Sequence, residues 1–307
     1  MSQRILHVLG TACLVPTYQR NHNGYFLRWD NEGFLFDPGE GTQRQLIHSG
    51  ISASQITKIF ISHFHGDHCL GLPGVIQRLS LDRVSHTIEV YYPASGQKYF
   101  ENLRDASVYH FQVELDAYPI SEPGIICENK KYQIETKFLD HSIDALGYRI
   151  QEHDGFTMIP EKLKAAGLEF EKIRELKTNG KVDVEGKTIT LNDVSNPRKG
   201  QSFAYILDTR MCQTAVELAN DVDMLICEST YLSDREDMAK EYGHLTAKQA
   251  GLLAKKAKVG KLVLTHFSQI YPDITEFEDE AKNIIPNVIA LKDGDQVQLP
   301  KRIRIMN

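Results

Sequence analysis

Apolar residues fall in short runs along this chain. The runs alternate with stretches in which apolar positions recur every three to four residues. The first pattern predicts strands and the second amphipathic helices. Residues 5–9 read as a strand that stops at Gly10-Thr11. Segments 24–29 and 33–36 flank Asp30-Asn31-Glu32 in the manner of a β-hairpin. Helices are expected over 42–48, 70–81 and 95–108, with strands within 56–61 and over 87–92. Segments 132–139 and 146–151 read as paired strands. Further on, strands are expected at 202–207, 224–227, 261–264 and 288–291, with helices at 214–219, 247–256 and 274–285. Such an order predicts an α+β chain whose sheets are covered by helices.

The stretch 152–187 breaks this rhythm. Its charges are nearly balanced, it carries Gly155, Gly167, Gly180 and Gly186, and it offers one weakly amphipathic segment, 160–176. It reads as a mobile excursion from the core with little apolar surface to bury.

Composition narrows the choices modestly. The chain has 307 residues, 35 Lys and Arg against 41 Asp and Glu, and a formal net charge of −6. A wholly basic nucleic-acid coat is therefore excluded, although a local basic patch is not. No apolar run reaches bilayer length, and the first residues lack the pattern of a signal peptide. The five cysteines are scattered and form no CxxC pair. These features predict a cytoplasmic protein without a disulfide frame. No GxGxxG follows the first strand, and no GxxxxGK[ST] occurs anywhere, so a nucleotide cofactor is not expected.

The chemistry is concentrated in His63-Phe64-His65-Gly66-Asp67-His68. Three imidazoles and a carboxylate within six residues, after a strand, suit zinc or another borderline divalent ion. His141, Asp208 and His266 each stand just past the end of an apolar run. Seven donors can hold two ions: His63, His65 and His141 on one, Asp67, His68 and His266 on the other, with Asp208 bridging. His244, in Gly243-His244-Leu245-Thr246-Ala247, is left outside this set and is a candidate catalytic acid or transition-state donor. Glu228, also at a strand end, is its candidate partner. Of the remaining histidines, only His22 lies in a polar loop that could border the cleft.

The spacing His63-x-His65-x-Asp67-His68, followed by His141, Asp208 and His266, resembles the metallo-β-lactamase fold. Leu9-Gly10-Thr11-Ala12, Val15-Pro16 and Phe36-Asp37-Pro38-Gly39-Glu40-Gly41-Thr42-Gln43-Arg44-Gln45-Leu46 narrow the likeness. With Leu207-Asp208-Thr209-Arg210, Gly243–Ala247 and Thr265-His266-Phe267-Ser268, they resemble the short form of ribonuclease Z over nearly the whole chain. The resemblance implies a four-layer αββα sandwich spanning residues 1–307, with 152–187 as an inserted, protruding substrate-binding arm. It implies a homodimeric endonuclease with two divalent ions per subunit, Zn²⁺ or Mn²⁺. Its reaction would remove the 3′ trailer of precursor tRNA after the discriminator nucleotide and leave a 3′-hydroxyl. Asp67 would orient or deprotonate the attacking water, and His244 would assist the departing oxygen. The arm of one subunit would serve substrate held by the other. The same metal chemistry would also serve small or cyclic phosphodiesters. Two departures from the family pattern stand out. The arm has neither Pro near Gly167 nor a basic bias, and Ile270 stands where an Arg is common. Both predict a weaker electrostatic grip on RNA.

Overall fold

The computed structural model describes residues 3–300; Met1, Ser2 and 301–307, part of the domain expected from sequence, lie outside the described residues. The chain divides into two compact units. The larger comprises residues 3–128, Ile134–Ile150 and Ser202–Pro300, and the smaller includes Asn129–Gln133 and Gln151–Gln201.

In the larger unit, strands β1 (Arg4–Gly10), β2 (Gly24–Trp29), β3 (Glu32–Phe36), β4 (Lys58–Phe60), β5 (Ile88–Pro93) and β6 (Leu115–Ile120) form one seven-stranded sheet. The seventh strand, β18 (Gln296–Gln298), sits beside β1. The first three strands and β18 pair antiparallel, whereas β3 to β6 run parallel. The second sheet has the order β17 (Val288–Ala290), β16 (Leu262–Thr265), β15 (Met224–Glu228), β14 (Ser202–Ile206), β9 (Ala145–Glu152), β8 (Tyr132–Leu139), β7 (Gly124–Glu128). Its strands β14 to β17 are parallel.

Alternation along each strand decides what lies between the sheets. Phe34 and Phe36 of β3 and Phe60 of β4 point inward, where they meet Tyr148, Phe203 and Tyr205 of the second sheet. Their neighbours Leu35 and Ile59 point outward. They join an apolar cluster with the helices α1 (Thr42–His48), α3 (Leu72–Leu81) and α4 (Gln97–Arg104). On the other sheet, Ala204 and Ile206 do the same with α8 (Gln213–Leu218), α10 (Ala247–Lys256) and α11 (Thr275–Lys282). The result is an αββα sandwich. Two short helices complete this unit: α2 (Gly66–Cys69) and α9 (Glu236–Tyr242).

The smaller unit contains β10 (Gly155–Met158) paired with β13 (Ser195–Arg198), and β11 (Lys181–Val184) paired with β12 (Lys187–Thr190). It also contains α5 (Pro160–Ala165), α6 (Phe170–Asn179) and α7 (Leu191–Val194). The expectation of a segment with little to bury is corrected here. Leu168, Leu176, Val182 and Val194 are buried together, with Leu163, Ile173 and Ile189 packed on them. The single weakly amphipathic segment over 160–176 forms two helices, separated at Gly167, whose φ of 61° is left-handed. Strand β6 escapes sequence pattern because Pro119 interrupts it and its middle residues are exposed at the sheet edge. The helix expected over 95–108 is shorter, a 3₁₀ turn at Ala94–Gly96 leading into α4.

Candidate metal centre

Several of the side chains of interest leave the carboxyl end of a strand. Asp37 follows β3, His63 follows β4, His141 follows β8, and Asp208, Glu228 and His266 stand at the ends of β14, β15 and β16. Parallel strands end together on one side of a sheet, so residues far apart in sequence converge. Asp37, Asp208 and His266 have φ of 42°, 29° and 62°, left-handed conformations that non-glycine residues rarely adopt. Such strain gathers where surrounding structure holds a side chain in a required direction.

All seven donors expected from sequence meet. His63, His65, His141 and Asp208 place their ligand atoms within 4.8 Å of one another, and so do His68, Asp208 and His266. Asp208 belongs to both groups. Its Oδ2 lies 3.5 Å from His63 Nε2 and 3.8 Å from His141 Nε2. Its Oδ1 lies 3.4 Å from His68 Nε2 and 3.2 Å from His266 Nε2. Asp67 Oδ2 is 3.3 Å from His68 Nε2 and 3.5 Å from His266 Nε2.

The outer ring nitrogens explain why the inner ones converge. His68 Nδ1 donates to Asp37 Oδ2 at 2.8 Å, and His141 Nδ1 donates to the Gly243 carbonyl at 3.0 Å. His63 Nδ1 lies 2.9 Å from Ser62 Oγ, and His266 Nδ1 lies 2.9 Å from Thr230 Oγ1. A proton on the outer nitrogen leaves a bare lone pair on the inner one, the tautomer a metal requires. Asp37 is the hub of this outer layer. It also accepts from Ser62 N–H, Ser62 Oγ and the Tyr205 hydroxyl of the second sheet. Two glycines make the close approaches possible. A Cβ on Gly39 would lie 2.2 Å from the Asp67 carbonyl, and one on Gly243 would lie 2.8 Å from His141 Nδ1.

The electrostatics favour positive charge at the centre. Burial and the neighbouring His68 keep His63 neutral, well below its ordinary value, and burial lowers His65 and His141. Burial opposes a charged His68, yet Asp208, Asp67 and Asp37 pull it strongly upward. Burial also opposes ionisation of Asp67 and Asp208, but the imidazoles hold both well below the carboxylate range. Asp208 Oδ1 and His266 Nε2 are buried without a hydrogen-bond partner. Buried polar atoms are rarely left so, and these two face the same small space. The residues therefore fit two divalent ions, and the nitrogen-rich donor set fits zinc.

His244 stands beside the seven. Its Nδ1 donates to Glu228 Oε1 at 3.0 Å and lies 4.0 Å from Asp208 Oδ2. Glu228 is fully buried and also accepts from Thr209 N–H, Leu245 N–H and the Thr230 hydroxyl. Burial works against a charged His244, but the Glu228 carboxylate outweighs it and raises the pKa to about 9. Thr246 caps α10 through a capping box with Gln249 and fixes the loop that carries His244. A cavity of about 640 Å³, lined in part by His244, Arg210, Met211 and Gln249, opens at this side. His22 does not reach the centre. Its Nε2 pairs with the Leu14 carbonyl at 3.2 Å, so it braces the loop after β1.

Sequence reasoning passed over Cys13. Its sulfur lies with Asp67 and His266 in a third group of atoms within 4.8 Å of one another. The available signal was its position, a soft donor a few residues beyond the end of a strand, like the other ligands.

Fold and donor set together define a metal-dependent hydrolase of the metallo-β-lactamase fold. The model of the beta-lactamase superfamily domain matches residues 33–267. A ribonuclease Z of Nocardia farcinica is 51% identical over 304 residues, covering 98% of this chain and 100% of that protein. One from Chlamydia trachomatis is 49% identical over 301 residues, covering 98% and 99%. Among solved structures, the short form of human tRNase Z superposes with a TM-score of 0.72 at 25% identity, covering 97% of this chain and all of that one. The chain belongs to the ribonuclease Z family.

Proposed function

We propose that this protein is a metal-dependent endoribonuclease. It hydrolyses the phosphodiester after the discriminator nucleotide of a precursor tRNA, releases the 3′ trailer and leaves a 3′-hydroxyl on the tRNA. The observation that carries this reading is end-to-end likeness to ribonuclease Z proteins in a chain that keeps all seven convergent donors. His63, His65 and His141 would hold one ion, Asp67, His68 and His266 the other, with Asp208 shared. When bound, such a pair supplies Lewis acidity, making water nucleophilic at neutral pH and offsetting charge on the phosphate.

The remaining work falls to the chain. The Asp67 carboxylate, anchored by the Leu14 N–H at 2.8 Å, orients the attacking water and accepts its proton. His244, kept protonated by Glu228, gives a proton to the departing O3′ of the tRNA. Glu228 acts through His244 as a positioning residue, since its other oxygen is engaged by Thr230 and Leu245. Among the described residues no helix is long and apolar enough to cross a membrane. We assign the protein to the cytoplasm as a homodimer in which the inserted unit of one subunit grips tRNA cut by the other.

The test is cleavage of an end-labelled precursor tRNA by metal-replete protein, resolved to the nucleotide, with sedimentation of the same sample. A single chelator-sensitive cut after the discriminator by a dimer is expected. Metal-loaded protein that leaves the precursor intact but hydrolyses a small diester would overturn the substrate assignment.

A further inference from the structure

The loop that leaves β1 threads directly past the second ion position. Phe267 N–H donates to the Thr11 carbonyl at 2.8 Å, and Cys13 N–H donates to the Phe267 carbonyl at 3.1 Å. These two bonds lock Cys13 alongside the residue that follows His266. The next residue, Leu14, turns in a left-handed conformation (φ 58°), and its N–H reaches Asp67 Oδ2 at 2.8 Å. Cys13 is thus pinned on one side to the His266 segment and on the other to Asp67. Its side chain is 9% exposed.

Resting on the reading that these residues hold metal, we propose that Cys13 Sγ is a thiolate ligand of the ion held by Asp67 and His266. The three donor atoms already lie within 4.8 Å of one another. Asp67 Oδ2 and His266 Nε2, at 3.5 Å, have the separation of two ligands on one ion. Independently, His266 Nε2 is fully buried with no hydrogen-bond partner and lies within 4.8 Å of the sulfur. The other buried cysteines are otherwise engaged. Cys69 Sγ donates to the His65 carbonyl at 3.2 Å, and Cys227 belongs to the apolar cluster beneath the second sheet. As the sulfur–metal bond forms, the thiol proton leaves to solvent; nothing is oxidised or reduced. A soft ligand on one ion but not the other makes the two positions unequal. The Cys13 position then prefers zinc, cobalt or cadmium over manganese, while the His63, His65 and His141 position is less selective.

Replacing the bound metal by Co²⁺ in two equivalents tests this. Wild-type protein is expected to show the visible bands of bound cobalt with both equivalents, and a near-ultraviolet thiolate-to-cobalt band with only one. Cys13→Ser and Cys13→Ala should lose the near-ultraviolet band and keep the visible ones; Cys69→Ser should keep both. In zinc-loaded wild type, X-ray absorption should find a sulfur neighbour at about 2.3 Å. Visible bands without any sulfur band in wild type, or a sulfur band that survives Cys13→Ser, overturns the proposal while leaving the metal centre intact. Absence of all cobalt bands overturns the metal reading itself and this proposal with it.

Discussion

The metal pocket and the inserted unit are built on opposite terms. In the pocket, His63, His68 and His266 are wholly buried, and Asp67 and Asp208 nearly so, each fixed by at least one further group. In the inserted unit four apolar side chains form the buried core, while Phe156 and Phe170 stand 45% and 83% exposed. Chemistry demands atoms held to fractions of an ångström, so it sits where two sheets and their aromatic core leave little freedom. A small unit with few buried contacts opens and adapts at low cost, which suits the RNA-gripping role proposed for it.

Five substitutions probe that contrast. Asp208→Ala removes the carboxylate shared by both donor groups. Metal content should fall below two ions per chain and precursor cleavage should vanish, with the fold retained by circular dichroism. Undiminished metal and activity would dissolve the distinction between a rigid centre and an adaptable periphery. Next in size is His244→Ala. Turnover should drop by roughly 10²- to 10⁴-fold with metal content unchanged. With protonated His244 as the proposed acid, and Glu228 raising its pKa to about 9, wild-type turnover should decline as pH rises through that value. Glu228→Gln removes the charge that raises the pKa, so the same decline should begin at lower pH.

Leu176→Ala attacks the other region. The substitution should destabilise the small core by about 2–5 kcal/mol. Catalytic efficiency on precursor tRNA should fall while hydrolysis of a small chromogenic diester stays as it was. Equal losses on both substrates would mean that the two regions are not separable. The smallest effect belongs to Ile270→Arg. Ile270 is 45% exposed, and a cation there should tighten RNA binding a few-fold at low salt. The salt dependence of binding should steepen by about one phosphate contact. Unchanged affinity would remove Ile270 from the substrate path.

How far the sequence alone reached follows from the same contrast. Residues 42–48 and 247–256 coincide with α1 and α10, because amphipathic spacing and, for α10, the Thr246 cap announce them. The seven donors were legible because strand ends are marked by where apolar runs stop. Cys13 shares that position but was passed over, since what brings it to Asp67 and His266 is a loop running beside the end of β16, and no local pattern encodes that crossing. Nor was Asp37, read only as part of a motif. Its function is to receive four donors from Ser62, His68 and Tyr205, a convergence created by tertiary structure. The inserted unit was misjudged for a related reason. Leu168, Leu176, Val182 and Val194 are too dispersed to show a period, and they make a core only once two ribbons and three helices fold back.

The left-handed backbones at Asp37, Asp208 and His266 have a consequence beyond catalysis. Each costs on the order of 1–3 kcal/mol, and the buried Asp208 Oδ1 and His266 Nε2 have no hydrogen-bond partner of their own, so cations would satisfy both. Ligands that bind only the folded state stabilise it in proportion to the logarithm of their occupancy. The melting temperature of this protein should therefore act as a gauge of its metal supply. A cell short of zinc would hold a population of this enzyme that is both idle and easier to unfold, and so more exposed to proteolysis.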